Sequence, residues 1–129
     1  RILIKTNPKC ADAYNYLGYL YAEKGINLDE AVVLIKKALS LEPNNGYFID
    51  SLGWAYFKKG LYEEALLNLK RASLLAEKDP VIFDHLGDAY LMKGNYREAI
   101  SSWEKSLKIE PTNEQIKKKI EETKKNLTN

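Results

Sequence analysis

The dipeptide Leu-Gly recurs at Leu17-Gly18, Leu52-Gly53 and Leu86-Gly87, in steps of 35 residues (17 to 52) and 34 residues (52 to 86). The residues around it recur in step. A tyrosine follows at Tyr21, Tyr56 and Tyr90, then Lys-Gly at Lys24-Gly25, Lys59-Gly60 and Lys93-Gly94. Glu-Ala comes next, at Glu30-Ala31, Glu64-Ala65 and Glu98-Ala99. A large apolar residue (Ile35, Leu69, Trp103) and a small one (Ala38, Ala72, Ser106) complete each unit. Pro43 and Pro111 close the first and third units, and Glu77 stands in the matching place of the second. A period of this length means one supersecondary unit repeated. No single unit buries its apolar face alone, so the units must stack.

The segments between the Gly and Pro markers have helix length. Their apolar residues keep the three-and-four spacing of one helical face, as at Leu17, Leu20, Tyr21 and at Leu52, Ala55, Tyr56. Asp79-Pro80 reads as an N-cap followed by a proline in the first helical turn. Asn27 with Glu30, Asn95 with Glu98 and Thr112 with Gln115 read as capping boxes. Gly25, Gly60 and Gly94 stand where a helix ends. Gly18, Gly53 and Gly87 stand inside a helix instead, where glycine costs about 1 kcal/mol relative to alanine. A cost met three times at one phase predicts a close approach of two helices, with Ala31, Ala65 and Ala99 across the contact. The first unit is a residue longer, with the extra residue near Ile26 or Asn27, so its turn should differ from the others.

On these recurring residues the chain resembles the tetratricopeptide repeat family. The resemblance implies an all-α, right-handed solenoid of helix-turn-helix hairpins, with repeats at residues 11–45, 46–79 and 80–113. A capping helix would follow at 114–129, and residues 1–10 would end a preceding, truncated repeat. Ile116, Ile120 and Leu127 give that last helix a narrow apolar stripe, and lysines and glutamates cover the rest, as a solvating cap requires. The wording Leu-Gly-Trp-Ala-Tyr and Asp-His-Leu-Gly-Asp-Ala-Tyr is similar to that of bacterial cell-envelope members of the family.

Composition narrows the function classes. Lys plus Arg is 20 and Asp plus Glu 18, a formal charge of +2, which excludes a polycationic nucleic-acid arm. No run approaches the roughly 20 apolar residues of a membrane span. Cys10 is the single cysteine, which excludes an intrachain disulfide and a multi-cysteine zinc site; it reads as a small inter-helix residue. There is no Gly-rich phosphate loop, no metal-ligand spacing and no nucleophile motif, so neither cofactor nor metal is expected. Ser51, His85 and the neighbouring Asp50 and Asp84 contain the residue types of a hydrolytic triad. Nothing supplies an oxyanion hole, and we read them as polar groove residues of a chain that is not an enzyme. The compartment, cytoplasm or periplasm, stays open.

The resemblance also implies which slots face a concave groove. They hold Asn15, Tyr19, Tyr47, Asp50, Trp54, Phe57, Asp84, His85, Asp88 and Met92. Tyr19, Trp54 and Asp88 share one slot, and a row there would offer an aromatic anchor beside carboxylates. The alternative is that this cluster packs as helix interface. Aromatics with carboxylates suit a peptide bearing apolar and basic side chains. The family's best-known members hold carboxylate tails of heat-shock chaperones with Lys, Arg and Asn. The corresponding slots here hold Asn15, Tyr19, Ser51, Val81 and His85, which disfavours such tails. The expected function is a protein–protein interaction module, an adaptor or scaffold segment. Two other classes compete: a scaffold self-assembling through an uncapped end bearing Ile2, Leu3 and Ile4, and an accessory domain of a larger enzyme.

Overall fold

In the computed structural model, which describes residues 9–128, the period becomes seven helices. They are α1 (Lys9–Lys24), α2 (Leu28–Leu41), α3 (Gly46–Lys58), α4 (Tyr62–Leu75), α5 (Pro80–Met92), α6 (Tyr96–Ile109) and α7 (Glu114–Thr128). Helices α1 and α2, α3 and α4, and α5 and α6 pair as hairpins. Each second helix also packs on the first helix that follows it, α2 on α3, α4 on α5 and α6 on α7. The first helices α1, α3 and α5 lie side by side. The result is an all-α solenoid of stacked helical hairpins. Ile2, Leu3 and Ile4, on which the self-assembling reading rests, lie outside the described residues.

The core follows this stacking. Ala31 and Ile35 of α2 pack with Ala22 of α1 and with Leu52 and Ala55 of α3. Ala65, Leu66 and Leu69 of α4 pack with Phe83, Leu86 and Ala89 of α5. Ala99, Ile100 and Trp103 of α6 pack with Ile116 and Ile120 of α7. Half-buried Tyr56 touches the first and second clusters and Tyr90 the second and third, so the repeated tyrosines join one repeat's core to the next.

Within each hairpin the intrahelical glycine sets the spacing. A Cβ at Gly18 would stand 2.7 Å from Ile35 Cγ1 and 3.0 Å from the Ala31 carbonyl oxygen. At Gly53 it would stand 2.8 Å from Leu69 Cγ and 3.2 Å from the Ala65 carbonyl oxygen, and at Gly87 2.3 Å from Trp103 Nε1. The nearest partner is therefore the large apolar residue of the second helix. The alanine one turn before it contributes its backbone in the first two hairpins, and the indole of Trp103 dominates the third.

The hairpin turns show where the extra residue went. The amides of Ile26, Leu61 and Asn95 bond to the carbonyls of Tyr21, Tyr56 and Tyr90, at 3.0, 2.9 and 2.9 Å. Gly25, Gly60 and Gly94 make the reversal with φ of 70°, 82° and 79°. Leu61 and Asn95 then open the next helix directly. In the first hairpin Asn27 does so one residue later, at φ 47°, a left-handed conformation that asparagine tolerates. This second left-handed residue absorbs the insertion.

Capping departs from the expected boxes. Asn27 and Asn95 make no side-chain cap bond, because the glycine turn has already set the entry to the second helices. Side-chain caps appear at the first helices, at Asp79 as the sequence predicts and at Asn45. Asn45 Oδ1 accepts from the amides of Tyr47 (2.9 Å) and Phe48 (3.2 Å), and Asp79 Oδ1 from that of Val81 (2.9 Å). At α7 the cap is Asn113, accepting from the Ile116 amide at 3.2 Å, and not Thr112. The lysine of the Lys-Gly pair also has a use: Lys59 pairs with Asp29 and Lys93 with Glu63, each reaching the first turn of the preceding second helix.

Two stability measurements test this account. Gly18→Ala should lose about 1–3 kcal/mol in urea denaturation, and Gly87→Ala more, because an indole ring yields less than an isoleucine side chain. Asn45→Ala should lose about 1 kcal/mol, whereas Asn95→Ala should change stability by only a few tenths.

Candidate functional site

Helices α1, α3 and α5 present a common face on which side chains of different repeats bond to one another. Trp54 is at its centre. Its indole stacks on Phe57, with centroids 4.7 Å apart and planes at 6°, and on the His85 imidazole, at 3.9 Å and 13°. Its Nε1 donates to Glu23 Oε1 at 2.9 Å, and the Lys58 ammonium stands 5.5 Å from the ring centroid. One side chain of α3 thus touches α1 and α5 together. Beside it His85 Nδ1 meets Asp50 Oδ1 at 2.9 Å, and both residues are buried. Further along α5, Lys119 of α7 donates to Asp84 Oδ1 at 2.8 Å and to Asp88 Oδ1 at 3.0 Å.

This geometry changes how the expected site residues are used. Trp54 was expected as an open anchor, yet it is only 8% exposed, since its neighbours cover the ring. Asp50 and His85 are buried against each other, and Asp84 and Asp88 are half-buried under Lys119. Asn15, Tyr19 and Phe57 are half-buried. Tyr47 and Met92 are open, at 57% and 49%. Asn15 Oδ1 is buried and accepts no hydrogen bond from the described residues. Ser51 Oγ donates to the Tyr47 carbonyl at 3.2 Å while His85 Nδ1 is held by Asp50, so the residues of the triad-like set are bonded elsewhere.

One member of this face, Lys119, was missed, while Glu23 and Tyr16 lie in slots of the face itself and of its border, with Met92 and with His85. Glu23 holds the indole, Lys119 closes the carboxylate pair, and Tyr16 is 66% exposed at the edge. The period contains the signal for Lys119. It lies 34 residues after His85, which lies 34 after Ser51; Ile116 and Ile120 likewise lie 34 after Ile82 and Leu86. Helix α7 therefore continues the phase of the first helices.

The charges on this face perturb one another. Burial opposes protonation of His85, but the Asp50 charge and hydrogen bond, aided by Asp84 and Asp88, outweigh it and raise the pKa above the ordinary histidine value. Burial raises Asp88, Lys119 opposes, Asp84 adds to the rise, and the net shift is upward. Burial works against the charged Lys119, yet its bonds to Asp84 and Asp88 prevail and raise it. Burial, then the charges of Glu23 and Asp50, push the Tyr19 phenol up to about 12.

Comparison with known proteins agrees with this architecture. Residues 11–45, 50–79 and 80–113 match sequence families described as tetratricopeptide repeat. A TPR repeat-containing protein of Pseudomonas aeruginosa is 38% identical over 60 residues, which are 46% of this chain and 10% of that protein's length. The first TPR of Spaghetti (RPAP3), bound to the HSP90 peptide SRMEEVD, superposes with a TM-score of 0.87 at 21% identity, over 95% of this chain and 97% of that one. The Sgt2 TPR domain from Aspergillus fumigatus gives 0.84 at 23% identity, over 92% and 79%. The Arabidopsis OM64 TPR domain gives 0.83 at 21%, over 92% and 98%. At these identities the structural likeness is one of fold.

The His85–Asp50 pair predicts a pH profile. With the folded pKa above the unfolded value of about 6.5, the pair's stabilisation is complete below that pH and is lost as pH rises through the folded pKa. The Tm of the wild type should fall across that window relative to its value at pH 6. His85→Gln should flatten the fall, and an equally steep profile in the variant would show that another group titrates.

Proposed function

The chain belongs to the tetratricopeptide repeat family, and we propose that it holds a peptide segment with apolar and basic side chains on the face shared by α1, α3 and α5. Tetratricopeptide repeat domains are protein-interaction modules, and a structural relative carries a bound HSP90 peptide. The reading of ligand character rests on one observation: four carboxylates from all three hairpins, Glu23, Asp84, Asp88 and the buried Asp50, stand on this face against the cations Lys58 and Lys119 and the buried His85. A peptide such as SRMEEVD, itself acidic, meets like charge here. The slots that would grip its carboxylates hold Asn15, Tyr19, Ser51, Val81 and His85, and His85 is already engaged by Asp50.

Because Trp54 is covered, the ligand's apolar contacts fall on the open rim. Tyr16, Tyr47, Val81 and Met92 are each about half exposed or more. Trp54 then acts as a rigid floor that ties the three helices together. In this reading the chain is a binding segment of a larger adaptor and carries no catalytic group.

Binding of a labelled peptide carrying leucine and arginine should weaken as salt rises, while a twin with glutamate for arginine should bind less at every salt concentration. Tyr47→Ala and Met92→Ala, both at open positions, should each weaken the arginine peptide by about 1 kcal/mol, roughly fivefold, without changing Tm. Tighter binding of the glutamate twin would overturn the proposed ligand class.

A further inference from the structure

We propose that the groove between α4 and α6 is a second interaction surface, which takes an acidic, leucine-bearing helix of a partner protein. Leu67 and Leu74 of α4 are 72% and 80% exposed, the two most exposed large apolar side chains among the described residues. They are seven residues apart and so stand on one face of the helix, about 10 Å from each other. That is the spacing a partner helix presents at its own positions i and i+7, so leucine can meet leucine along a full heptad.

Beside Leu74 the two helices enclose a groove of about 330 Å³, with Leu86 and Tyr90 of α5 among its lining. A lysine stands on each wall. The Lys70 ammonium lies 5.5 Å from the centre of the Tyr90 ring, and that of Lys105 lies 5.9 Å from the centre of Phe83. Among the described residues neither is ion-paired; each rests on an aromatic face, and Lys70 also stands near enough to Glu63 to help lower that carboxyl's pKa. The groove's own carboxylate is Glu98. A glutamate or aspartate entering over the apolar lining meets two cations already gathered there, and charge complementarity selects an acidic partner over a neutral one.

The surface is independent of the face shared by α1, α3 and α5. Leu86 and Tyr90 each lie two residues beyond Asp84 and Asp88, about 200° around the same helix. One chain can therefore engage a basic segment on one side and an acidic helix on the other.

The test uses the whole chain, labelled for amide NMR. The probe is a synthetic helix-forming peptide of about 15 residues, with leucine at every seventh place between glutamates. Shifts are expected at Leu67, Lys70, Leu74, Ser101 and Lys105, and added salt should shrink them. Lys70→Glu with Lys105→Glu, at exposed positions, should keep the helical fold, with Tm lower by no more than about a few degrees from the lost ring contacts, and weaken the probe about tenfold or more. A twin peptide with lysine for glutamate should not shift these residues. Equal binding by the double variant overturns the proposal, as do shifts confined to Tyr16, Tyr47 and Met92. Concentration-dependent shifts at Leu67 and Leu74 without peptide also overturn it, by making a second copy the occupant.

Discussion

The backbone of each first helix comes so close to its partner that no side chain fits between them. Gly18, Gly53 and Gly87 leave room for Ile35, Leu69 and Trp103, and a single methyl at any of the three would stand under 3 Å from those side chains. This contact lets the large residue of the second helix sit fully buried while still reaching the next first helix. A wider hairpin would break the triangular packing of α1, α2 and α3, and with it every later repeat, because a solenoid's stability is carried by neighbour contacts. The third hairpin extends the same solution. Trp103 fills the slot with an indole, whose Nε1 donates to the Asp84 carbonyl at 3.3 Å, and Lys119 rests over its ring at 5.8 Å.

The polar face of α1, α3 and α5 depends on that spacing in turn. Trp54 reaches Glu23 on one side and His85 on the other because the first helices stand at a fixed distance. Burying Asp50 and His85 is costly unless each satisfies the other, and the 2.9 Å bond between them meets that condition. The stack therefore does two things: it joins three repeats across their boundaries, and it hides the residues that seemed the best anchors. The open residues that remain, Tyr16, Tyr47 and Met92, are at the edges of this layer.

The fold was legible because the same physical requirement is written three times. Glycine at the close approach, glycine at the turn and alanine in the second helix recur at one phase, and each recurrence supports the others. The face was half legible. Slot arithmetic placed Trp54, Asp50, His85, Asp84 and Asp88 together, and they do lie together. Their partners were not foreseen, because a slot says which way a residue faces and not what crosses to meet it. Glu23 meets Trp54 from 31 residues away, and Lys119 meets Asp88 across the same interval. Asp79-Pro80 caps α5 as its sequence predicts, but the capping boxes failed as a guide for a local reason. Asn27 and Asn95 follow a glycine turn that fixes the backbone without them, whereas Asn45 and Asp79 open helices that no such turn precedes.

Helix α7 covers the core of the third hairpin. Its inner positions keep the phase of the first helices, so Ile116 and Ile120 cover α6 as Ile82 and Leu86 cover α4. Its outer positions are lysine and glutamate, which water accepts. Lys119 stands between these two surfaces, in the slot that holds Ser51 and His85 in the repeats before it. There it supplies a cation to two carboxylates of α5. Lys119 thus covers the α5 end of the carboxylate row. Any ligand cation must then compete with Lys119 at Asp84 and Asp88, or bind nearer α1, where Glu23 is exposed. The polarity of the face thus follows from the residue that α7 places in the repeated slot.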